Sequence, residues 1–279
     1  MIGLKDKLIM RKKINLIDST FSHLTGEPEP NKGYSVHAKE SKYIEWVTDG
    51  SGEGTFFTDL RIFDAFNSDV KGPKYAWILE SKAINPQLFQ WLDQNIDLMV
   101  NTFDIIFIYE RKYLKMHPKF KWCAAQGFWV KEPQVYPKSK MISMITSNKN
   151  FCPGHRSRLE WYESFKDQVD CYGYGINWID YKEQGLSDYM FSIAIENCEV
   201  DGYFTEKLLD CFACGTIPVY LGDPNIGDCF NTDGIINLSE QFDVSEELYY
   251  SKMDAIKDNM ERAKQYEVLE DYLYLNYLK

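Results

Sequence analysis

Short apolar runs recur along the chain, separated by polar stretches with helical spacing. The runs at 14–18 (INLID), 43–47 (YIEWV), 75–80 (YAWILE) and 104–110 (DIIFIYE) are dense in Ile, Leu and aromatic residues. Such runs predict short strands buried on both faces. Between the last two, PQLFQWLDQNIDLMV (86–100) places Leu88, Trp91, Leu92 and Ile96 on one face of a helix. Buried strands separated by helices predict a mostly parallel sheet. At 131–140, KEPQVYPKSK has two prolines and no period, which predicts a linker. The alternation then restarts. MISMITS (141–147) reads as a strand, RSRLEWYESFKDQ (156–168) as a helix, and VDCYGYG (169–175) as a strand ending in Gly173 and Gly175. YMFSIAIEN (189–197) and IPVYLG (217–222) read as strands flanking a helix over 206–214, and the acidic tail 240–279 as mostly helical. The prediction is an α/β protein of two halves, 1–135 and 136–279, facing each other across a cleft. The C-terminal helix is free to pack back on the first half.

Length changes this picture little: 279 residues suit one large domain or two medium ones. Charge changes it more. The formal net charge is −11, which argues against broad nucleic-acid binding through phosphates. Any anionic ligand must therefore meet a local positive patch. No 18-residue apolar run predicts a membrane span. The first residues, MIGLKDKLIMRKKINLID, lack the long apolar core of a signal peptide. Seven cysteines, an odd number without paired metal spacing, read as reduced and structural; Cys211 and Cys214 form a lone C-x-x-C inside a predicted helix. A reducing cytoplasm is the expected location. The sequon at Asn237 means little without an export signal.

The candidate chemistry concentrates in FSIAIENCEVDGYFTEKLLDCFACGTIPVYLGDP, residues 191–224. In open α/β sheets ligands sit beyond the carboxyl ends of the strands, and Glu196 and Asn197 lie at such an end. Thr205 is placed as an N-cap, Glu206 and Lys207 fill the first helical turn, and Gly215 is placed just past the helix end. A helix N-terminus favours a phosphate, and Lys207 adds a full charge where helix stability alone would disfavour one. Glu206, an acceptor, suits the two hydroxyls of a ribose. Spacing alone leaves open the plainer reading, an exposed Glu–Lys pair on an amphipathic helix. A second signal is a gap in acidic residues. Between Pro133 and Leu159 there is no Asp or Glu, yet Lys138, Lys140, Lys149, His155, Arg156 and Arg158 all occur. The stretch TSNKNFCPGHRSR sits where a strand hands over to a helix, facing the same cleft. A solvated basic loop would also account for it; two basic segments converging on one strand edge favour a diphosphate site.

These residues resemble the donor-binding motifs of the α1,3-fucosyltransferase family. The matches are Glu196, Asn197, Tyr203, Thr205, Glu206, Lys207, Pro218, Val219, Gly222 and Pro224, preceded by Ser147, Asn148 and Arg158, and by the V-D-x-Y-G of 169–173. The resemblance covers about 140–225; Ile195 departs from the usual Phe, and the first half matches weakly. It implies a GT-B fold with two Rossmann-like domains, a GDP-sugar donor held by the C-terminal one, and inversion at the anomeric carbon. Carried over, Arg158 and Lys207 bind the diphosphate, with Arg156 as fallback if the register shifts by two. Glu206 holds the ribose, Tyr203 lies near the nucleotide, and Glu196 and Asn197 face the donor. Ser147, Asn148, Lys149, Tyr174 and Thr205 complete the donor-binding set. GDP-fucose is the family donor; GDP-mannose is the alternative within the enzyme class. A non-catalytic sugar-nucleotide or glycan-binding protein is the alternative outside it.

An inverting transfer needs a base for the acceptor hydroxyl and positive charge for the departing diphosphate. No Asp-x-Asp pair occurs in the chain, so no metal and no further cofactor are expected. The base is expected from the opposite wall of the cleft, at Glu80, with Glu53 and Glu110 as other candidates. Gly50, Gly52 and Gly54 suggest a mobile loop over the acceptor. The expected partners are a nucleotide-sugar donor and a glycan or glycoprotein acceptor.

Overall fold

The computed structural model describes residues 10–18 and 39–279. Six strands form a first sheet: β1 (Lys12–Ile17), β2 (Ile44–Val47), β3 (Thr55–Thr58), β4 (Lys74–Ile78), β5 (Ile105–Ile108) and β6 (Phe120–Trp122). Their order is β2-β1-β3-β4-β5-β6 and every pair is parallel. A second sheet uses β7 (Lys140–Ile145), β8 (Asp170–Tyr172), β9 (Tyr189–Ile195), β10 (Ile217–Leu221) and β11 (Ile236–Asn237). It runs β11-β10-β9-β7-β8, again parallel throughout. All residues of β3 and β9 are buried, as strands covered by chain on both faces must be.

The predicted strands appear within a few residues of their expected limits. β3, β6 and the two-residue β11 were not expected. TFFT is bracketed by polar residues and FKW is too short to carry a period; each is a strand because a neighbouring strand supplies its ladder. The helix expected over 86–100 divides into α1 (Pro86–Gln94) and α2 (Ile96–Thr102). Asn95 breaks it, with φ −130° and ψ 34° and its side-chain amide donating to Trp91 O at 2.7 Å. That local bond competes with the helical ladder. In the second half, α3 (Pro153–Phe165) starts three residues earlier than expected, because Pro153 suits a first helical position.

The Gly-rich segment is not a loop over the cleft. Glu53 N donates to Lys13 O and Asn15 N to Gly54 O, both at 2.9 Å, and the Asn15 side chain bonds Gly52 on both sides. A Cβ on Gly52 would lie 2.5 Å from Asn15 N. The glycines let this segment cross close over β1 on its way into the start of β3, away from the carboxyl ends.

Nor is 131–139 a loose linker. Gln134 N donates to Ala213 O at 2.9 Å, and the buried amine of Lys138 donates to Leu186 O, Ser187 O, Cys214 O and Thr216 Oγ1. The halves are joined in two further places. Arg111, just past β5, reaches Asp201 Oδ1 at 2.7 Å. The C-terminal helices α5 (Glu246–Ser251), α6 (Met253–Ala263) and α7 (Leu269–Leu273) return the chain to the first sheet. There Trp46 Nε1 donates to Glu270 Oε1 at 3.2 Å, Ser41 Oγ to Asp271 Oδ1 at 2.6 Å, and Tyr277 packs on Phe107. Among the described residues no helix is long and apolar enough to cross a membrane.

Candidate functional site

The carboxyl ends of β4, β7 and β9 converge on one cleft of about 480 Å³. Leu79 and Glu80 enter it from the first sheet, Gln126, Trp129 and Lys131 from the crossing segment, and the rest from the second half. Its lining holds five Lys or Arg side chains (131, 149, 158, 182, 207) against three carboxylates (80, 180, 206). The site is therefore locally positive inside a protein of net charge −11.

One wall is the N-terminus of α4 (Glu206–Ala213). Thr205 is its N-cap, accepting from Lys207 N at 3.4 Å, and Gly215 follows its end at φ 64°. The helix is anchored from behind by Glu196. This carboxylate accepts from Thr205 N and from Thr205 Oγ1, both at 2.8 Å, and its side chain is wholly buried. Glu196 thus points into the protein and not at the cleft, contrary to expectation: both its oxygens are spent on the helix start. Burial raises its pKa, against the pull of Lys207.

Lys207 is bracketed by acids. Its amine donates to Thr205 Oγ1 at 2.9 Å and Glu206 Oε1 at 3.1 Å, with Glu196 Oε2 at 3.5 Å. Burial alone would lower its pKa; Glu206 and Glu196 hold it above the usual value. Burial pushes Glu206 up, but the Lys207 and Lys182 charges outweigh it and keep the carboxyl down at about 2. Glu206 Oε2 is buried and has no hydrogen-bond partner. It is an ionised acceptor awaiting donors.

Arg158 is the opposite case. It is 6% exposed on α3, donates from Nη1 to Asn197 Oδ1 at 3.1 Å, and has no partner for its Nε. No described carboxylate lies within ion-pair distance of it. Burial lowers its pKa, with Glu206 and Glu196 opposing. A buried cation without a counter-ion is costly, and an incoming anion would remove that cost. His155, one helical turn earlier, also lines the cleft. Burial and the charges of Arg158, Lys149 and Lys207 press its pKa down to about 4, so the ring is neutral. α3 can approach this closely only through Gly154, whose Cβ would fall 1.9 Å from Asn197 O. Gly154→Ala is expected to push α3 from β9 and destabilise the protein by about 1–3 kcal/mol; urea denaturation measures it.

The structure brings Glu80, Ser147, Lys149, Arg158, Tyr174, Asn197, Tyr203, Thr205, Glu206 and Lys207 to one cleft. It leaves three expected residues outside. Glu196 is buried behind. Asn148 is exposed and packs its amide on Gly175. Arg156 is exposed and donates to Asn150 O at 3.3 Å, because the helical register turns Arg158 inward instead. Two lysines of the acid-free stretch also lie elsewhere. Lys138 ties carbonyls near the end of α4, and Lys140 opens β7 beside Asp170 at 3.7 Å.

Of the three candidate bases, only Glu80 lines the cleft. Burial raises its pKa, while Lys207 and Lys149 pull the other way. Glu110 is buried between Lys82 and Lys112, and Glu53 faces Lys12 near the start of β1. Sequence reading singled out Tyr174 but missed the rest of the aromatic rim: Tyr174 is joined at the mouth by Trp178 and Tyr181, and the three are 61%, 67% and 53% exposed. Their density in YGYGINWIDY, among glycines and without a period, was the available signal. Among the described residues no group of three or more His, Cys, Asp or Glu is placed to hold a metal ion.

Comparison with known proteins places this geometry. Residues 135–273 match the family described as glycosyltransferase family 10 (fucosyltransferase), C-terminal part. An alpha-(1,3)-fucosyltransferase of Helicobacter pylori is 35% identical over 71 residues, 25% of this chain and 15% of that protein. A 4-galactosyl-N-acetylglucosaminide 3-alpha-L-fucosyltransferase of Cricetulus griseus is 28% identical over 126 residues, 43% of this chain and 34% of that one. The matched stretches thus span well under half of these relatives. The solved alpha1,3-fucosyltransferase with GDP superposes with a TM-score of 0.52 at 14% identity, covering 98% of this chain and 91% of that one. The solved form with GDP-fucose gives 0.51 at 16%, covering 97% and 85%. At that identity the likeness is one of fold: two parallel α/β sheets flanking a cleft, the GT-B arrangement. Through residues 135–273 the chain belongs to glycosyltransferase family 10, the fucosyltransferases.

Proposed function

We propose that this protein is an inverting glycosyltransferase that moves fucose from GDP-fucose to a glycan hydroxyl. The observation that carries the reading is the buried guanidinium of Arg158, with no described carboxylate within ion-pair distance and no partner for its Nε, lining the same cleft as Lys207 at the capped start of α4. A diphosphate satisfies that demand, and the partnerless Oε2 of Glu206 supplies an acceptor for the ribose hydroxyls. Solved fucosyltransferases of the same fold carry GDP and GDP-fucose, which supports this donor over GDP-mannose. The Cricetulus griseus relative is named for a 4-galactosyl-N-acetylglucosaminide acceptor, which supports a glycan here.

In the proposed reaction the acceptor oxygen attacks the anomeric carbon from the face opposite the diphosphate, and its proton passes to Glu80. The bond from that carbon to the phosphate oxygen breaks, and the electron pair leaves with GDP. Arg158, Lys207 and the amides of α4 take up the developing charge. Attack opposite the leaving group inverts the configuration. These cations fill the role that a metal plays elsewhere, so chelator treatment is expected to leave turnover unchanged within about two-fold.

The donor contacts are separable. Lys207→Ala is expected to weaken GDP binding by about 1.5–3 kcal/mol; equal affinity in calorimetry would remove Lys207 from the site. Glu206→Gln is expected to lower affinity for GDP but not for 2′-deoxy-GDP, because only the former offers the full ribose pair. Equal losses for both ligands would assign Glu206 to another contact. Thermal shifts with GDP-fucose and GDP-mannose, followed by GDP release with a 4-galactosyl-N-acetylglucosaminide, test donor and transfer together. GDP binding without release from either donor would favour a silent binding protein.

A further inference from the structure

Glu80 sits on a turn, not on a strand. β4 ends at Ile78, and its ladder no longer holds the peptides of 79 and 80. Two side chains from neighbouring elements take over. Asp59, directly after β3, accepts from Leu79 N and from Glu80 N with the same Oδ1, both at 2.9 Å. Tyr109, directly after β5, donates its hydroxyl to Glu80 O at 3.3 Å and accepts from Lys82 N at 2.9 Å.

Asp59 is unusual in three ways. It is 4% exposed, and its second oxygen, Oδ2, is buried without a partner. It also has φ 44°, alone among the described residues other than glycine in adopting a positive value. That region disfavours most residues with a Cβ, and Asp and Asn less than the others. Such strain persists where surroundings enforce it, often at functional sites. Here the twist turns the side chain sideways, from the end of β3 to the end of its neighbour β4. Burial, with the carboxylates of Glu80 and Asp18 adding to it, lifts the Asp59 pKa to about 7, against the two amide bonds.

We propose that Asp59 is a positioning residue for Glu80: by clamping the amides of residues 79 and 80 it sets where the Glu80 carboxylate enters the cleft. The inference rests on the reading of Glu80 as the base. A base must lie within hydrogen-bond reach of the proton it takes, and an error of about 1 Å can cost on the order of 10²-fold in rate.

Asp59→Gly is the decisive variant, because glycine accepts this backbone without strain while removing the clamp. It is expected to stay folded, to bind GDP within about two-fold of the parent by calorimetry, and to release GDP from GDP-fucose at least about ten-fold more slowly with a saturating 4-galactosyl-N-acetylglucosaminide. Asp59→Asn keeps the accepting oxygen and resembles the protonated acid, so it is expected to recover at least about a third of the rate. The double variant D59G/E80Q is expected to be no slower than E80Q, since the clamp acts through Glu80; losses that multiply would overturn the inference. If the glycine variant does not fold, Asp59→Ser, too short to span both amides, takes its place with the same expectations. E80Q slow with D59G at the parent rate overturns the positioning role alone. E80Q at the parent rate overturns the reading of Glu80 itself.

Discussion

Replacing Arg158 by methionine is expected to have opposite effects on the free and the nucleotide-bound protein. GDP affinity should fall by about 2–3 kcal/mol, on the order of 30–150-fold, because a charge-assisted contact to phosphate is lost. The free protein should become more stable. Its guanidinium is buried with one neutral partner, Asn197, and an Nε that has none. A buried charge lacking a counter-ion is worse than an apolar side chain of similar length. The melting temperature without ligand should therefore rise, while the shift on adding GDP shrinks. Arg158→Lys should fall between, keeping the charge but losing the planar fork. Calorimetry and thermal melts read both effects. A methionine variant that binds GDP like the parent, or that melts lower without ligand, would leave Arg158 as an ordinary structural residue.

Glu80→Gln is expected to lower turnover by about 10²-fold or more and to change GDP affinity by less than about two-fold. The two readouts separate because Glu80 comes from a turn of the first half, while the proposed nucleotide contacts come from helices α3 and α4 of the second. The pH dependence has a definite sign. A base works deprotonated, so the rate should rise with pH through the Glu80 pKa, which burial sets above the ordinary glutamate value. The same shift affects stability in the opposite direction. A carboxyl whose folded pKa is raised stabilises the protein fully below its unfolded pKa, and that contribution is lost as pH rises through the folded one. Glu80→Gln should remove both the acid limb of the rate profile and this share of the stability profile. A variant that keeps the acid limb would show that another group titrates there.

Much of the second half was legible because its signals are local. Strand β9 is a single apolar run, and α4 is announced by Thr205 at its start and Gly215 past its end. The Lys207 charge at its first turn is out of place for helix stability. Each of these features acts within a few residues, so order along the chain suffices to read it. Arg158 was singled out by the family resemblance, with Arg156 as fallback, and the phase of α3 decides for Arg158. The first half yielded less. β3 and β6 carry too few residues for a period, and their ladders come from strands distant in sequence. The glycines of 50–54 announced backbone freedom, but what they approach is β1, which no local pattern reveals.

The acid-free stretch 134–158 shows the limit most clearly. Sequence placed its cations together; the fold sends Lys138 and Lys140 to the far end of the second sheet and Arg156 to solvent, and brings Lys149 and Arg158 to the cleft. Direction in space depends on strand sense and helical phase, which a list of charges lacks. Glu196 is a second case. Its place at a strand end was readable, but its rotation away from the cleft depends on a backbone amide and a hydroxyl nine residues on. The strip of residues that forms elements, and the presence of an anion-seeking helix start, belong to the sequence, since they follow from short-range periodicity and capping. Which carboxylate faces the cleft, which cation is left without a partner, and what holds Glu80 in place belong to tertiary structure, because burial and pairing are set by atoms far apart in the chain.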